Sequence, residues 1–94
     1  MLLERAELQI KPGSEEAFAA ALNGRITEIL RAVPGVKSVQ IGRGVENPDN
    51  FIILAEWESL DAHAAFKTLP AYPEFGALIA AHAIGGRMEH FTMG

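Results

Sequence analysis

The spacing of apolar residues alternates along the chain between the period of a β-strand and the period of an α-helix. From Leu3 to Ile10 every second residue on one side is apolar, which predicts a half-buried strand. After Pro12-Gly13 the apolar positions recur every three or four residues, which predicts an amphipathic helix of about five turns. These positions are Phe18, Leu22, Ile26, Ile29, Leu30 and Val33. Because neither period suits the other element, the chain must build a mixed fold.

The remaining elements follow in the order strand, strand, broken helix, strand. The predicted strands span Val36 to Arg43, Phe51 to Glu58 and Arg87 to Met93. Before the last strand, the sequence predicts a helix that is capped by Ser59, broken at Pro70 and Pro73 and ended by Gly85-Gly86. This order predicts an α+β, ferredoxin-like plait: a four-stranded antiparallel sheet with its helices on one face. With 94 residues and no repeat or linker, residues 1–94 form one domain.

Both faces of the third strand are apolar where it begins. Phe51 and Ile53 point to one side, while Ile52 and Leu54 point to the other. Since the predicted helices cover only one face of the sheet, a single chain would leave the Ile52 side in water. Packing against a second copy removes this exposure, so the sequence predicts a homodimer through the face that carries Ile52, Leu54 and Glu56.

Charge and composition exclude several classes of partner. The net charge is −4 and no stripe of basic residues occurs, so the electrostatic footprint of a nucleic-acid binder is missing, and anionic membranes are excluded for the same reason. No apolar run approaches the roughly 18 residues of a membrane span. The absence of cysteine excludes disulfides and thiolate nucleophiles. Without a signal-peptide pattern, we expect a cytoplasmic protein that binds a small neutral or apolar molecule or another protein.

The three histidines are the candidates for acid–base chemistry near neutral pH. His63 is predicted at the edge of an apolar helix face, roughly 60° beyond Phe66 at about 100° per residue; it is either a solvated histidine or a general base at a pocket mouth. His82 continues the apolar stripe of the last helix, either as a core histidine or as a group that orients a substrate. The pattern leaves the facing of His90 open.

Aromatic and cationic residues complete the candidate site. Trp57 is interpreted either as a core residue or as a pocket wall that stacks on a flat substrate and points its indole N–H at an oxygen. Phe66 and Phe75 extend this wall, and Arg43 either closes the open end of the pocket or stays solvated. The histidines show no spacing typical of metal ligands, such as i, i+4 on one helix, so no metal is expected.

Four segments carry a resemblance to a known family. They are residues 6–13 (AELQIKPG), residues 33–36 (VPGV), residues 55–59 (AEWES) together with Ala62 and His63, and residues 89–91 (EHF). In these segments the chain resembles the antibiotic biosynthesis monooxygenase family of dimeric α/β barrels, and the resemblance covers essentially the whole domain.

The resemblance implies a ligand bound between the sheet and the helices of each subunit. Several enzymes of the family oxidise polyketide phenols or quinols with molecular oxygen, without metal or flavin, and the substrate anion supplies the electrons. We therefore expect a cofactor-independent monooxygenase that acts on a small aromatic, phenolic or quinol molecule, with His63 or His82 as base. The alternatives are a non-catalytic small-molecule-binding dimer and, since some relatives isomerise lactones, a cofactor-free isomerase.

The match to the polyketide-oxygenase pattern is partial. Trp57 is kept, but His63 stands where that pattern has a tyrosine, and Ile53 and Phe75 stand where it has an asparagine and an arginine. The asparagine, tryptophan and histidine of a haem-degrading branch are also missing, so neither haem nor any other cofactor is expected.

Overall fold

The sheet positions every other element of the molecule. The computed structural model describes all 94 residues, and each pair of neighbouring strands in it is antiparallel. The strands are β1 (Leu2–Ile10), β2 (Val36–Arg43), β3 (Asn50–Trp57) and β4 (Ala83–Thr92), in the spatial order β2-β3-β1-β4. The predicted element order and the predicted ferredoxin-like α+β fold are confirmed.

The long first helix contains an interruption that periodicity did not predict. An α-helix, α1 (Glu15–Ala21), passes into a π-helical segment (Leu22–Ile26) and then into α2 (Thr27–Ala32). At Gly24 the backbone leaves helical angles, with φ −105° and ψ −106°, and the hydroxyl of Thr27 donates to the carbonyl of Leu22. The wider turn is a π-bulge within an otherwise helical segment, a form that the spacing of apolar residues does not distinguish from a regular α-helix.

The second half of the chain contributes two shorter helices. The helix α3 (Leu60–Phe66) begins after Ser59, whose hydroxyl accepts a hydrogen bond from the N–H of Ala62 at 3.1 Å, as predicted for an N-cap. The helix α4 (Tyr72–Ala80) follows and has a proline in its first turn, where proline costs least.

The core lies between one face of the sheet and the helices. Burial alternates along β3: Phe51, Ile53, Ala55 and Trp57 are buried, and the residues between them are not. Phe18 packs edge-on against Phe51 at 5.0 Å between ring centroids. The other helical members of this core are Leu22, Ile26, Ile29, Leu30 and Phe66.

The turn after α2 brings the first helical segment close to α3. Gly35 has φ +93°, and a Cβ at this position would lie 2.6 Å from the Cβ of Ala62. Its carbonyl accepts a hydrogen bond from the N–H of Glu58 at 2.8 Å, just before α3. Any other residue would strain the backbone and push α3 away, so this glycine helps to set the position of α3.

The outer face of the sheet carries no helix and mixes apolar with charged groups. Ile52 and Leu54 are half-buried there, next to a carboxylate, Glu7, that accepts from Asn50 at 3.1 Å and pairs with Arg5 at 3.0 Å. The hydrogen bond from Asn50, and then the one from Arg5, lower the pKa of Glu7. The two-sided apolar character predicted for the third strand is confirmed.

Two boundaries near the end of the chain differ from the prediction. The helix α4 ends at Ala80, and β4 already begins at Ala83, so Gly85-Gly86 lie inside the strand rather than at a helix end. Gly86 is a point of close approach, because a Cβ there would lie 2.4 Å from the carbonyl oxygen of Glu7 on β1. Glycine here marks strand packing, a use that local propensity does not distinguish from a helix stop.

No helix in the structure combines the length and the apolar character that crossing a membrane requires.

Candidate functional site

A cavity of about 370 Å³ opens between the sheet and the two short helices. Its floor comes from the helix-facing side chains of β1 and from β4, and its roof comes from α3, α4 and the segment between them. The residues used below that line it are Glu4, His63, Phe66, Lys67, Phe75 and Met88. This volume falls within the range of small-molecule sites.

His63 projects from the first turns of α3 onto the wall of this cavity. Only 15% of its side chain is exposed, and its ring packs edge-on against Trp57 at 4.9 Å between centroids. Its Nε2 lies 3.4 Å from Oε1 of Glu4. The interpretation of His63 as a solvated helix histidine is therefore wrong, because α3 turns this edge of its apolar face onto Trp57.

Glu4 is a buried carboxylate at the centre of the site, and sequence reasoning missed it. It lies on β1 on the side that faces the helices and accepts a hydrogen bond from Nε1 of Trp57 at 2.8 Å. The signal was present in the sequence: Glu4 has the same parity as Ala6, Leu8 and Ile10, which are apolar. A carboxylate in that register must find a donor inside the protein.

Trp57 lies beneath the cavity rather than on its wall. The residue is fully buried, and its indole N–H is directed at an oxygen, as predicted, but that oxygen belongs to Glu4. Trp57 therefore holds the carboxylate and supports the ring of His63 from behind.

The surroundings of His63 favour its neutral form. Burial lowers the pKa of its imidazole below the ordinary value, and the Glu4 carboxylate opposes this shift. His90 and Lys67 act in the same direction as burial. Loss of hydration disfavours the charged ring more than one carboxylate favours it, so the ring is an available proton acceptor at neutral pH.

His90 joins this group from the last strand. It lies opposite Glu4 in the register of β1 and β4, and its ring contacts that of His63 at 4.7 Å between centroids. One potential ligand atom each from Glu4, His63 and His90 lies within 4.8 Å of the others. The expectation that the histidines are unclustered is therefore wrong, because antiparallel pairing joins residues that are far apart in sequence.

Aromatic rings form the apolar wall of the cavity. Phe66 contacts Tyr72 and Phe75 edge-on, at 5.0 and 5.1 Å between ring centroids. The structure thus places two residues of the predicted wall, Phe66 and Phe75, on the cavity and adds Tyr72. Edge-to-face packing of this kind gives the wall a defined shape.

His82 and Arg43, also predicted for the site, lie outside the cavity lining. His82 follows the end of α4, so the helical stripe does not extend to it, and its ring packs near Phe18 at 6.0 Å. Arg43 pairs with Glu16 at 2.9 Å and stands 5.1 Å from the ring centre of Phe51.

Comparison with known proteins agrees with this architecture. The model of the antibiotic biosynthesis monooxygenase family matches residues 1–78. The uncharacterized protein YczJ of Bacillus subtilis is 30% identical over 80 residues, which is 84% of this chain and 83% of that protein.

Solved structures show the same fold. A Bordetella bronchiseptica protein named for this family superposes with a TM-score of 0.88 at 21% identity, over 99% of this chain and 96% of the other. SnoaB, a cofactor-independent oxygenase from Streptomyces nogalater, superposes with a TM-score of 0.86 at 15% identity, over 99% and 92%. Because the family model matches most of its length, the chain belongs to the antibiotic biosynthesis monooxygenase family.

Proposed function

We propose that this protein is a cofactor-independent monooxygenase that oxidises a small phenol or quinol bound between the sheet and the helices. The observation that carries the proposal is the imidazole of His63, which lies on the cavity wall between Glu4 and Trp57. Membership of the family supports the reaction class, and SnoaB, with the same fold, is named as a cofactor-independent oxygenase.

The cavity suits a flat aromatic molecule. Its walls are largely aromatic and aliphatic, and its charged or titratable lining side chains are Glu4, Glu7, His63, Lys67 and Arg87, besides the phenol of Tyr72. An aromatic ring would lie against Phe66 and Phe75, with its hydroxyl directed at His63. Binding sites of this kind use apolar walls for affinity and a few polar groups for orientation.

The reaction begins with a proton transfer. His63 accepts the phenolic proton, and Glu4 stabilises the imidazolium that forms, at 3.4 Å from Nε2. The resulting anion is electron-rich and transfers electrons to O₂. At the hydrogen-bearing ring carbon para to the ionised hydroxyl of a phenol or naphthol, the substrate supplies the four electrons that reduce O₂. One oxygen atom replaces the ring hydrogen and becomes a quinone carbonyl oxygen, and the other leaves as water with that hydrogen and the proton that His63 accepted.

Oxygen consumption across a panel of quinols and naphthols tests the proposal. We expect uptake of one O₂ per substrate in the presence of a chelator, and His63→Ala should reduce turnover roughly 10²-fold, the usual contribution of a general base. His82→Ala is the matched control, since His82 lies outside the cavity, and it should retain the activity.

Three outcomes contradict the proposal. Substrate conversion without O₂ uptake would indicate an isomerase, which needs the same base. Ligand binding without turnover of any compound would indicate a binding protein. Full activity of His63→Ala would remove His63 from the mechanism.

We also propose that the protein acts as a homodimer through the outer face of the sheet. Ile52 and Leu54 lie there without a covering element, and Phe91, on the same face of β4, is 40% exposed. Ile52→Lys should weaken dimerisation sharply, because it would bury a charge that has no partner. Sedimentation of the wild type and the variant at micromolar concentration checks this, and a monomeric wild type would contradict it.

A further inference from the structure

Three side chains that commonly bind metals converge at one end of the cavity. Glu4 comes from β1, His63 from α3 and His90 from β4, and one ligand atom of each lies within 4.8 Å of the other two. Two imidazoles and a carboxylate form a donor set that suits divalent transition metals such as Zn²⁺.

One atom of this group has no partner within the protein. Nε2 of His90 is buried and makes no hydrogen bond, although buried ring nitrogens are nearly always paired. A cation between the three side chains would supply the missing partner.

The spacing is compatible with one small ion. Zn²⁺ binds nitrogen and oxygen at about 2.0–2.2 Å, so two ligands of a tetrahedral site lie roughly 3.4 Å apart. Nε2 of His63 and Oε1 of Glu4 are 3.4 Å apart. All other separations within the group are at most 4.8 Å, and binding of the ion would require an imidazole to move where a separation exceeds about 3.4 Å.

The surroundings provide two further features of a metal site. The indole N–H of Trp57 donates to Glu4 at 2.8 Å, and such a bond fixes the orientation of a ligating carboxylate. Glu4 and His63 also line the cavity, so an ion can enter there and keep a coordination position open for water or a substrate.

We propose that Glu4, His63 and His90 bind one divalent transition-metal ion of the Zn²⁺ type. His90 lies beyond the residues matched by the family model, which end at 78. The site therefore depends on a residue that the family match does not include.

The ion and the proposed proton transfer exclude each other. A neutral imidazole has one available lone pair, and a ring that binds the ion with it has none left for the proton of a phenol. Zn²⁺ should accordingly inhibit the oxygenase reaction; this consequence, unlike the binding itself, rests on the proposed function.

Titration of tag-free, chelator-stripped protein with Zn²⁺ tests the binding directly. Calorimetry at neutral pH should give one ion per chain, and Co²⁺ should give visible absorption bands in the same stoichiometry. His90→Gln and Glu4→Gln should each weaken binding at least tenfold. Glutamine at position 4 keeps an oxygen for the indole N–H of Trp57, so this variant should remain folded.

Two control variants make the assignment specific. His82→Gln removes the histidine outside the group and should leave the affinity for Zn²⁺ unchanged. Lys67→Gln removes the ammonium group that acts on His63, so it should strengthen binding.

The site is refuted if the wild type binds no Zn²⁺, or if His90→Gln and Glu4→Gln bind it as tightly as the wild type does. Binding is measured without substrate, so failure of the oxygenase proposal leaves this result unchanged. Conversely, absence of Zn²⁺ binding would leave the oxygen-uptake experiment untouched.

Discussion

The first region of the chain, up to Phe66, and the second region, after Phe66, pack against the sheet in different ways. All fifteen buried residues lie between Glu4 and Phe66, and neither α4 nor β4 contains one. The segment from α1 to α2 covers β3 with large apolar side chains, whereas α4 stands over β4 and leaves Met88, on the floor of the cavity, half exposed. Stability is therefore concentrated in the first region, and the second forms one side of the cavity.

A bidentate salt bridge links α4 to the first helical segment. Nε and Nη2 of Arg25, in the π-helical segment, donate to the two carboxylate oxygens of Glu74 at 2.6 and 2.7 Å. The hydrogen bond from Arg25 lowers the pKa of Glu74. Because both groups are exposed, this pair orients α4 more than it stabilises the fold.

The largest expected difference between the two regions comes from matched phenylalanine truncations. Phe18→Ala should lower the free energy of unfolding by about 3–5 kcal/mol, the usual cost of removing a fully buried phenylalanine. Phe75→Ala, on the cavity wall, should cost roughly half of this or less, because the ring is already partly exposed. Urea unfolding of both variants checks the comparison, and equal losses would mean that α4 packs as tightly as α1.

A smaller effect is expected at the hydrogen bond between Trp57 and Glu4, which lies in the packed region beneath the cavity. Trp57→Phe keeps an aromatic ring but leaves Glu4 without the N–H that reaches it at 2.8 Å. An unpaired buried acceptor costs about 1–3 kcal/mol.

A double-mutant cycle isolates this bond. In a Glu4→Ala background no acceptor remains for the indole N–H, so the same Trp57→Phe change should cost less than it does in the wild type. If Trp57→Phe lowers the free energy of unfolding equally in both backgrounds, Trp57 acts through packing alone.

Most of the fold follows from the sequence because its signals are local. Strand and helix periods, together with the cap at Ser59, depend on neighbouring residues and are confirmed. The error at the end of α4 arises from a distant contact, whereas the interruption at Gly24 is local and was not signalled by periodicity. Gly86 on β4 lies close to the backbone of Glu7 on the neighbouring strand β1. Because of this contact, a glycine that looks like a helix stop in the sequence belongs to β4.

The candidate site is less accessible to sequence reasoning for the same reason. The aromatic stripe that includes Phe66 and Phe75 is local, and both residues line the cavity. The group of Glu4, His63 and His90 depends instead on the pairing of the first and last strands. The sequence does not show how the strands are paired, so it gives no indication that these positions meet.

The smallest expected effect concerns pH and again separates the two regions. Burial lowers the pKa of His63, whereas the unfolded chain has an ordinary value of about 6.5. As the pH falls through that value, the unfolded chain takes up the proton more readily, so the folded protein loses stability. The contribution of neutral His63 is complete above about pH 6.5 and is lost as the pH falls through the lower, folded pKa.

Urea midpoints between pH 8 and pH 5 should therefore decline in the wild type and decline less in His63→Gln. Phe18→Leu, in the packed region, changes no titratable group and should keep the wild-type slope. The lowered pKa values of Glu7 and Glu74 act at more acidic pH, below about 4.5, so they do not overlap with this range. Identical slopes in the wild type and His63→Gln would show that His63 is as well solvated in the folded protein as in the unfolded chain, which would remove the reason to treat it as a neutral base.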